Sequence, residues 1–251
     1  MTHVHASLPR YWEIDLFRGI GVLMMVVFHV VFDLAYFSIL PIPVSTGFWR
    51  MFAIATASIF LFLVGISLSI RWNRTSVSNR FSYVPYLKRG CSIFALGVGI
   101  TFVTYLVIGE GFILFGILHC IGASILIAPL FFGHPRIGLL AGAASIAAGF
   151  LVSGINGPIW LAPIGIHPPY FYTLDYFPLF PWLGVILLGL TAGTLLYPKG
   201  MRAFPLSDRC RIPGEPVCWM GRHSLVLYLV HQPVILGILA LLFPGSIGFF
   251  S

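Results

Sequence analysis

The chain has 251 residues, 59% hydrophobic and 8% charged, with a mean hydropathy of +0.98 and a formal net charge of +7. A soluble domain carries about 25% charged residues, so this sequence cannot cover a water-facing surface; a soluble enzyme, a disordered chain and a coiled coil are excluded, and a polytopic membrane protein remains. The basic residues sit in short turns between apolar runs, which reads as topology charge rather than a nucleic-acid footprint, and no nucleic-acid partner is expected.

Seven runs approach the ~20 apolar residues that a spanning helix needs: 17–37, 50–70, 90–108, 112–132, 137–154, 178–197 and 223–243. No segment keeps a strand's alternation. The pattern predicts an all-α fold, a polytopic integral membrane helical bundle of about seven transmembrane helices, forming a single domain over 1–251. With the N-terminus cytoplasmic, every Lys and Arg except Arg50 falls on the inner side, as the positive-inside rule asks. The location expected is the cell membrane, multi-pass. No cleavable signal peptide is expected, because the first apolar run is too long for one.

Span 1 carries Arg18, His29 and Asp33. Ionisable groups inside a membrane are costly and mark function by default. The step from Arg18 to His29 is eleven residues, which returns to nearly the same helix face, and Asp33 lies one turn further. Asp33 is expected to hold one ring nitrogen of His29 and leave the other free as a base. The bland alternative is a polar seam that joins helices.

Two connections are long. The inner stretch 71–89 holds Arg71, Arg74, Arg80, Lys88 and Arg89 with no acid. These either face lipid headgroups or hold the phosphates of a nucleotide ligand. The outer stretch 155–177 is rich in Pro, Gly and aromatics, with Asp175 as its sole charge. It reads equally as a lid or re-entrant segment and as an interfacial aromatic belt.

Span 4 contributes His119 and span 7 His231. Counted at 1.5 Å per residue, both fall near the depth of His29, which suggests converging imidazoles; a satisfied core histidine is the alternative for each. A metal site is not expected, since Asp33 is the one acidic ligand at that depth. Cys120, beside His119, is a weak candidate for an acyl carrier, and the four cysteines read as reduced thiols. His223 reads as interfacial, and His3, His5, His134 and His167 carry no assignment.

The segment EIDLFRGIGVLMMVVFHVVFDL (13–34) resembles the opening helix of the heparan-alpha-glucosaminide N-acetyltransferase catalytic-domain family. It also carries the Arg-x10-His pattern of the wider transmembrane acyltransferases. FGILHCIGASILI (115–127) is similar to the family's fourth-helix motif, LDYFPLFPWLGVILLGLTAG (174–193) to its Asp-x-x-Pro-x-x-Pro-Trp segment, and MGRHSLVLYLVHQPVILG (220–237) to its closing helix. The resemblance implies transfer of an acyl group, acetyl in that family, from cytoplasmic acetyl-CoA to an acceptor on the far side of the membrane. It matches Arg18 and His29 to the superfamily pair, where the histidine acts as base, His231 to the closing motif, and Asp175 and Trp182 to the outer signature. Animal lysosomal members have asparagine where His29 stands, place their proposed catalytic histidine where this chain has none, and are longer.

The combined expectation is an integral membrane acyltransferase. His29, Asp33, His119 and His231 would be catalytic. Arg18, Arg71, Arg74, Arg80, Lys88 and Arg89 would bind acyl-CoA, and Asp175 and Trp182 the acceptor. Expected partners are acyl-CoA, a sugar or other small acceptor with a hydroxyl or amine, and the lipid bilayer; a homo-oligomer is compatible with the composition. The competing class is a small-solute transporter using the histidines as a proton relay, against which stands the lack of repeated halves. A third class, a non-catalytic assembly protein, gives His29 no role in turnover.

Overall fold

The computed structural model describes residues 10–75, 82–207 and 211–245. Their backbone is helical throughout apart from connections and two isolated bridges, Asn156 to His167 and Phe115 to Tyr176. An apolar chain in lipid has no water to satisfy its peptide groups, and helices satisfy them within each segment. Among the described residues, six helices are long and apolar enough to cross a membrane: α1 (Trp12–Tyr36), α2 (Gly47–Arg74), α3 (Val84–Ile108), α5 (Pro135–Val152), α6 (Leu179–Leu196) and α8 (Ser224–Leu242). The protein is therefore a multi-pass membrane protein.

The helices depart from the apolar runs where polar residues join a helix end. α1 begins at Trp12 with Glu13 and Asp15 in its first turn, where carboxylates suit the positive end of the helix dipole. α3 begins at Val84, with Pro85 in its first turn. Lys88 and Arg89 thus lie on α3, and Arg71 and Arg74 on the last turn of α2, rather than in one long loop. The expected fourth span, 112–132, is shorter: α4 (Ile117–Ile127) continues as a 3-10 turn to Phe131, and residues 112–116 are non-helical. α7 (Arg211–Arg222) occupies what reads in the sequence as a basic loop. Gly214 and Pro216 hide it, since each argues against a helix.

The chain divides into two compact units, with the boundary inside α2 after Phe60. The first holds the start of the described chain to Phe60, together with the segment from Leu206 onward. Here α7 and then α8 return along α1. α7 lies backbone to backbone on the first half of α1: a methyl group added at Gly19 would strike the Val217 carbonyl, and one at Gly221 the Asp15 carbonyl. Cys218 is buried there, its thiol directed at the Trp12 carbonyl at 3.5 Å. α8 covers the second half of α1, with Ile235 and Leu239 packed on Val26, Val30, Leu34 and Phe37.

The second unit, Leu61–Pro205, holds the rest of α2 and α3 to α6. Its core joins Leu68, Tyr86, Ile125, Phe132, Leu183 and Leu187. α2 and α6 meet at Gly65 and Gly189, which face the Ile186 and Phe62 carbonyls with no room for a side chain; small residues let membrane helices approach this closely. Ser69 and Thr194 hydroxyls bond across the same contact at 3.0 Å.

Candidate functional site

In the first unit, the pairing of α8 with α1 sets His231 against His29. Their ring centroids are 4.6 Å apart, edge to face at 79°. His29 Nδ1 lies 2.9 Å from the Met25 carbonyl, one turn back in α1. His231 Nδ1 is 2.6 Å from the Tyr228 carbonyl in α8. A carbonyl only accepts, so each Nδ1 carries the hydrogen and each Nε2 keeps its lone pair. Two imidazoles are thus held in the tautomer that a base at Nε2 requires.

Asp33 differs from expectation. It is buried at 2% exposure, and both its oxygens accept from Gln232 Nε2 at 2.9 Å rather than from His29. The backbone orients His29, and Asp33 ties α1 to α8 one turn beyond it. Gln232 carries no charge and does not stand out among the ionisable residues of the sequence; an amide beside His231 in an apolar run is the signal it offers.

Arg18 lies near the start of α1, where Asp15 receives Arg10 Nε at 2.8 Å and has Arg18 at 3.7 Å. Asp15 is 2% exposed, and two cations offset the desolvation of its charge.

The second unit places the remaining candidates. Arg71 stacks on the buried Tyr86 ring, 5.6 Å from its centroid, a cation–π arrangement that leaves the guanidinium edge free to bond. Arg89, one turn along α3 from Tyr86, and Lys88 are both exposed. Arg74 donates to the Gly200 carbonyl at 3.0 Å and holds the 198–200 turn. Arg80 lies outside the described residues.

His119 is the third residue of α4 and accepts the Gly116 N–H at Nδ1, 3.3 Å away, which leaves the ring hydrogen on Nε2. Its ring is enclosed by Phe94 and Phe115 at 5.0 and 5.4 Å. It is near the start of a short helix rather than at the middle of a long one. Cys120 is fully buried, which suits an inert thiol better than an acyl carrier.

Asp175 closes the same helix end. Gly116 is the N-cap and has no side chain to offer, so Asp175 Oδ2 accepts the Ile117 N–H at 3.0 Å. Further bonds fasten the outer segment: Leu174 N–H to Gly111 O, Phe177 N–H to Phe115 O, and the Thr173 hydroxyl to Phe112 O. Tyr170 and Trp160 of this segment are exposed at 98% and 72%. Trp182, at the start of α6, packs on Phe177 at 4.9 Å.

Burial pushes the Asp175 carboxyl from 3.8 up to about 6, against the smaller downward pull of the Ile117 N–H. The folded protein then keeps a proton that the unfolded chain has released between about pH 4 and 6, so stability falls as pH rises through that window. Asp175→Asn keeps an oxygen for Ile117 and removes the titration. Its thermal midpoint in detergent should depend less on pH over this range than the parent's; parallel curves would contradict the assignment. Asp175→Ala removes the cap and should cost about 1 kcal/mol.

Among the described residues, no group of three or more His, Cys, Asp and Glu is placed to hold a metal. A family model, heparan-alpha-glucosaminide N-acetyltransferase, catalytic, matches residues 10–233. The chain belongs to this family. The matched range of this acetyltransferase family takes in Arg18, His29, Asp175 and His231. No curated protein and no solved structure matches the chain.

Proposed function

We propose that this membrane acetyltransferase-family protein moves an acetyl group from cytoplasmic acetyl-CoA to a hydroxyl or amine of a sugar-like acceptor on the outer side of the cell membrane. The observation that carries the reading is the His29–His231 pair, each ring held by a backbone carbonyl with Nε2 free to take a proton. Acetyl-CoA supplies an activated thioester. His29 Nε2 removes the acceptor's proton as the acceptor attacks the thioester carbonyl. The new C–O or C–N bond forms, the C–S bond breaks, and the same proton returns from the imidazole pair to the departing sulfur. An apolar bundle keeps water from competing with the acceptor.

Arg71, Lys88 and Arg89 are the residues assigned to the donor's phosphates. They are cationic, exposed and free of a carboxylate partner in the 71–89 stretch. Arg18 is a further candidate, and Arg74 acts mainly through the 198–200 turn. His119 and Asp175 organise the start of α4, with Trp182 and the outer aromatics assigned to the acceptor side. Purified protein titrated with acetyl-CoA in a calorimeter should give a saturable heat; none at millimolar ligand would sink the donor assignment.

A further inference from the structure

α8 carries two consecutive side chains whose acceptor atoms find no donor among the described residues. His231 gives its Nδ1 hydrogen to Tyr228, and its Nε2 lone pair is buried with no partner. Gln232 turns its amide nitrogen to both oxygens of Asp33. A carboxylate accepts and does not donate, so this contact fixes the amide with nitrogen toward Asp33 and oxygen away from it. That oxygen, Oε1, is also buried and without a partner. Buried polar atoms in folded proteins nearly always find partners, and orphans on adjacent residues are therefore informative.

The chemistry of the surroundings narrows what would satisfy them. His29, in ring contact with His231, also presents Nε2 as a lone pair, since its Nδ1 hydrogen is on Met25. A carbonyl, phosphate or thioether as the direct partner of these atoms would set lone pair against lone pair. A hydroxyl or an amine would bring the missing hydrogens.

We infer that Gln232 is a substrate-binding residue whose Oε1 receives an O–H or N–H of the acyl acceptor, and that Asp33 is the positioning residue that holds the Gln232 amide in the required sense. The identity of the ligand as acyl acceptor rests on the acetyltransferase reading above; the orientation of the amide does not. Asp33 thus serves Gln232 instead of His29, and α8 contributes binding as well as base chemistry.

The test uses the full-length protein in detergent, acetyl-CoA as donor, and glucosamine and glucose as acceptor probes. Gln232→Met keeps the length of the side chain and removes Oε1. It should raise the acceptor KM about tenfold, the worth of one hydrogen bond to a buried acceptor, while kcat and the acetyl-CoA KM stay close to the parent's. Asp33→Asn lets the Gln232 amide face it with either end, and should raise the acceptor KM by about 2- to 5-fold, again selectively. A merely structural role would lower kcat together with the folded fraction and leave the acceptor KM unmoved, and that result overturns the inference. Should Gln232→Met fail to elute as a folded species, Asp33→Asn decides alone by the same criterion.

If the parent acetylates neither sugar, the acetyltransferase reading fails for these acceptors, and the inference is then judged by binding. Thermal-shift titration with each sugar should give an affinity about tenfold weaker in the variant; equal affinities, or no binding to the parent, overturn it. A response to glucosamine alone identifies the amine as the donor, and a response to both sugars a hydroxyl.

Discussion

His29→Ala should lower kcat/KM for acetyl transfer by about a thousandfold, near the middle of the range for removing a general base and equal to about 4 kcal/mol of transition-state stabilisation. The protein should fold normally. Among the described residues the His29 side chain hydrogen-bonds within its own helix, at Met25, and alanine is the best helix former. His231→Ala should cost less, since His29 keeps its orientation without it. Combined, the two substitutions should cost less than the product of their separate effects, because the imidazoles touch and act on one proton. Full turnover in His29→Ala, with the elution profile unchanged, would move the base elsewhere in the chain.

The second large effect is on donor binding. Arg71→Glu and Arg89→Glu should each weaken the calorimetric affinity for acetyl-CoA about tenfold or more, as expected for losing a charge-assisted bond to phosphate. Arg71 is the sharper test. Its guanidinium is already ordered on the Tyr86 ring, so little side-chain entropy is lost on binding, and Arg71→Lys should recover only part of the affinity because a lysine does not present the planar fork. Added salt should weaken the parent's affinity more than that of the reversed variants, since exposed charges are screened. Affinity unchanged in both variants would leave these cations as topology charges alone.

The spanning helices were legible because six of them are long, apolar and uninterrupted. The shared depth of His29 and His231 was legible as well, since both sit deep in apolar runs; that their rings touch follows from the packing of α8 on α1. What failed was anything that depends on which polar group meets which. Asp33 lies one turn from His29, the spacing for contact, yet it bonds Gln232, 199 residues away. Spacing along a helix gives faces; packing of a second helix decides partners. Asp175 reads in the sequence as an outer binding residue; its capping of α4 was not legible, because Gly116 at the cap position has no side chain and the Ile117 N–H is met by a carboxylate 58 residues on. His119, counted from the ends of an apolar run, moved to a helix start because that run is partly non-helical. α7 was hidden by Gly214 and Pro216, which its packing on α1 tolerates.

The most direct measurement of the central claim is sided acetyl transfer in sealed vesicles that hold the protein in one orientation. Radiolabelled acetyl-CoA is supplied on the face that carries Arg71 and Arg89, with glucosamine on the other. Labelled acceptor is expected inside intact vesicles, dependent on His29, with free CoA remaining on the donor side. Label that appears only when both substrates share one compartment, or appears equally with His29→Ala, would contradict it.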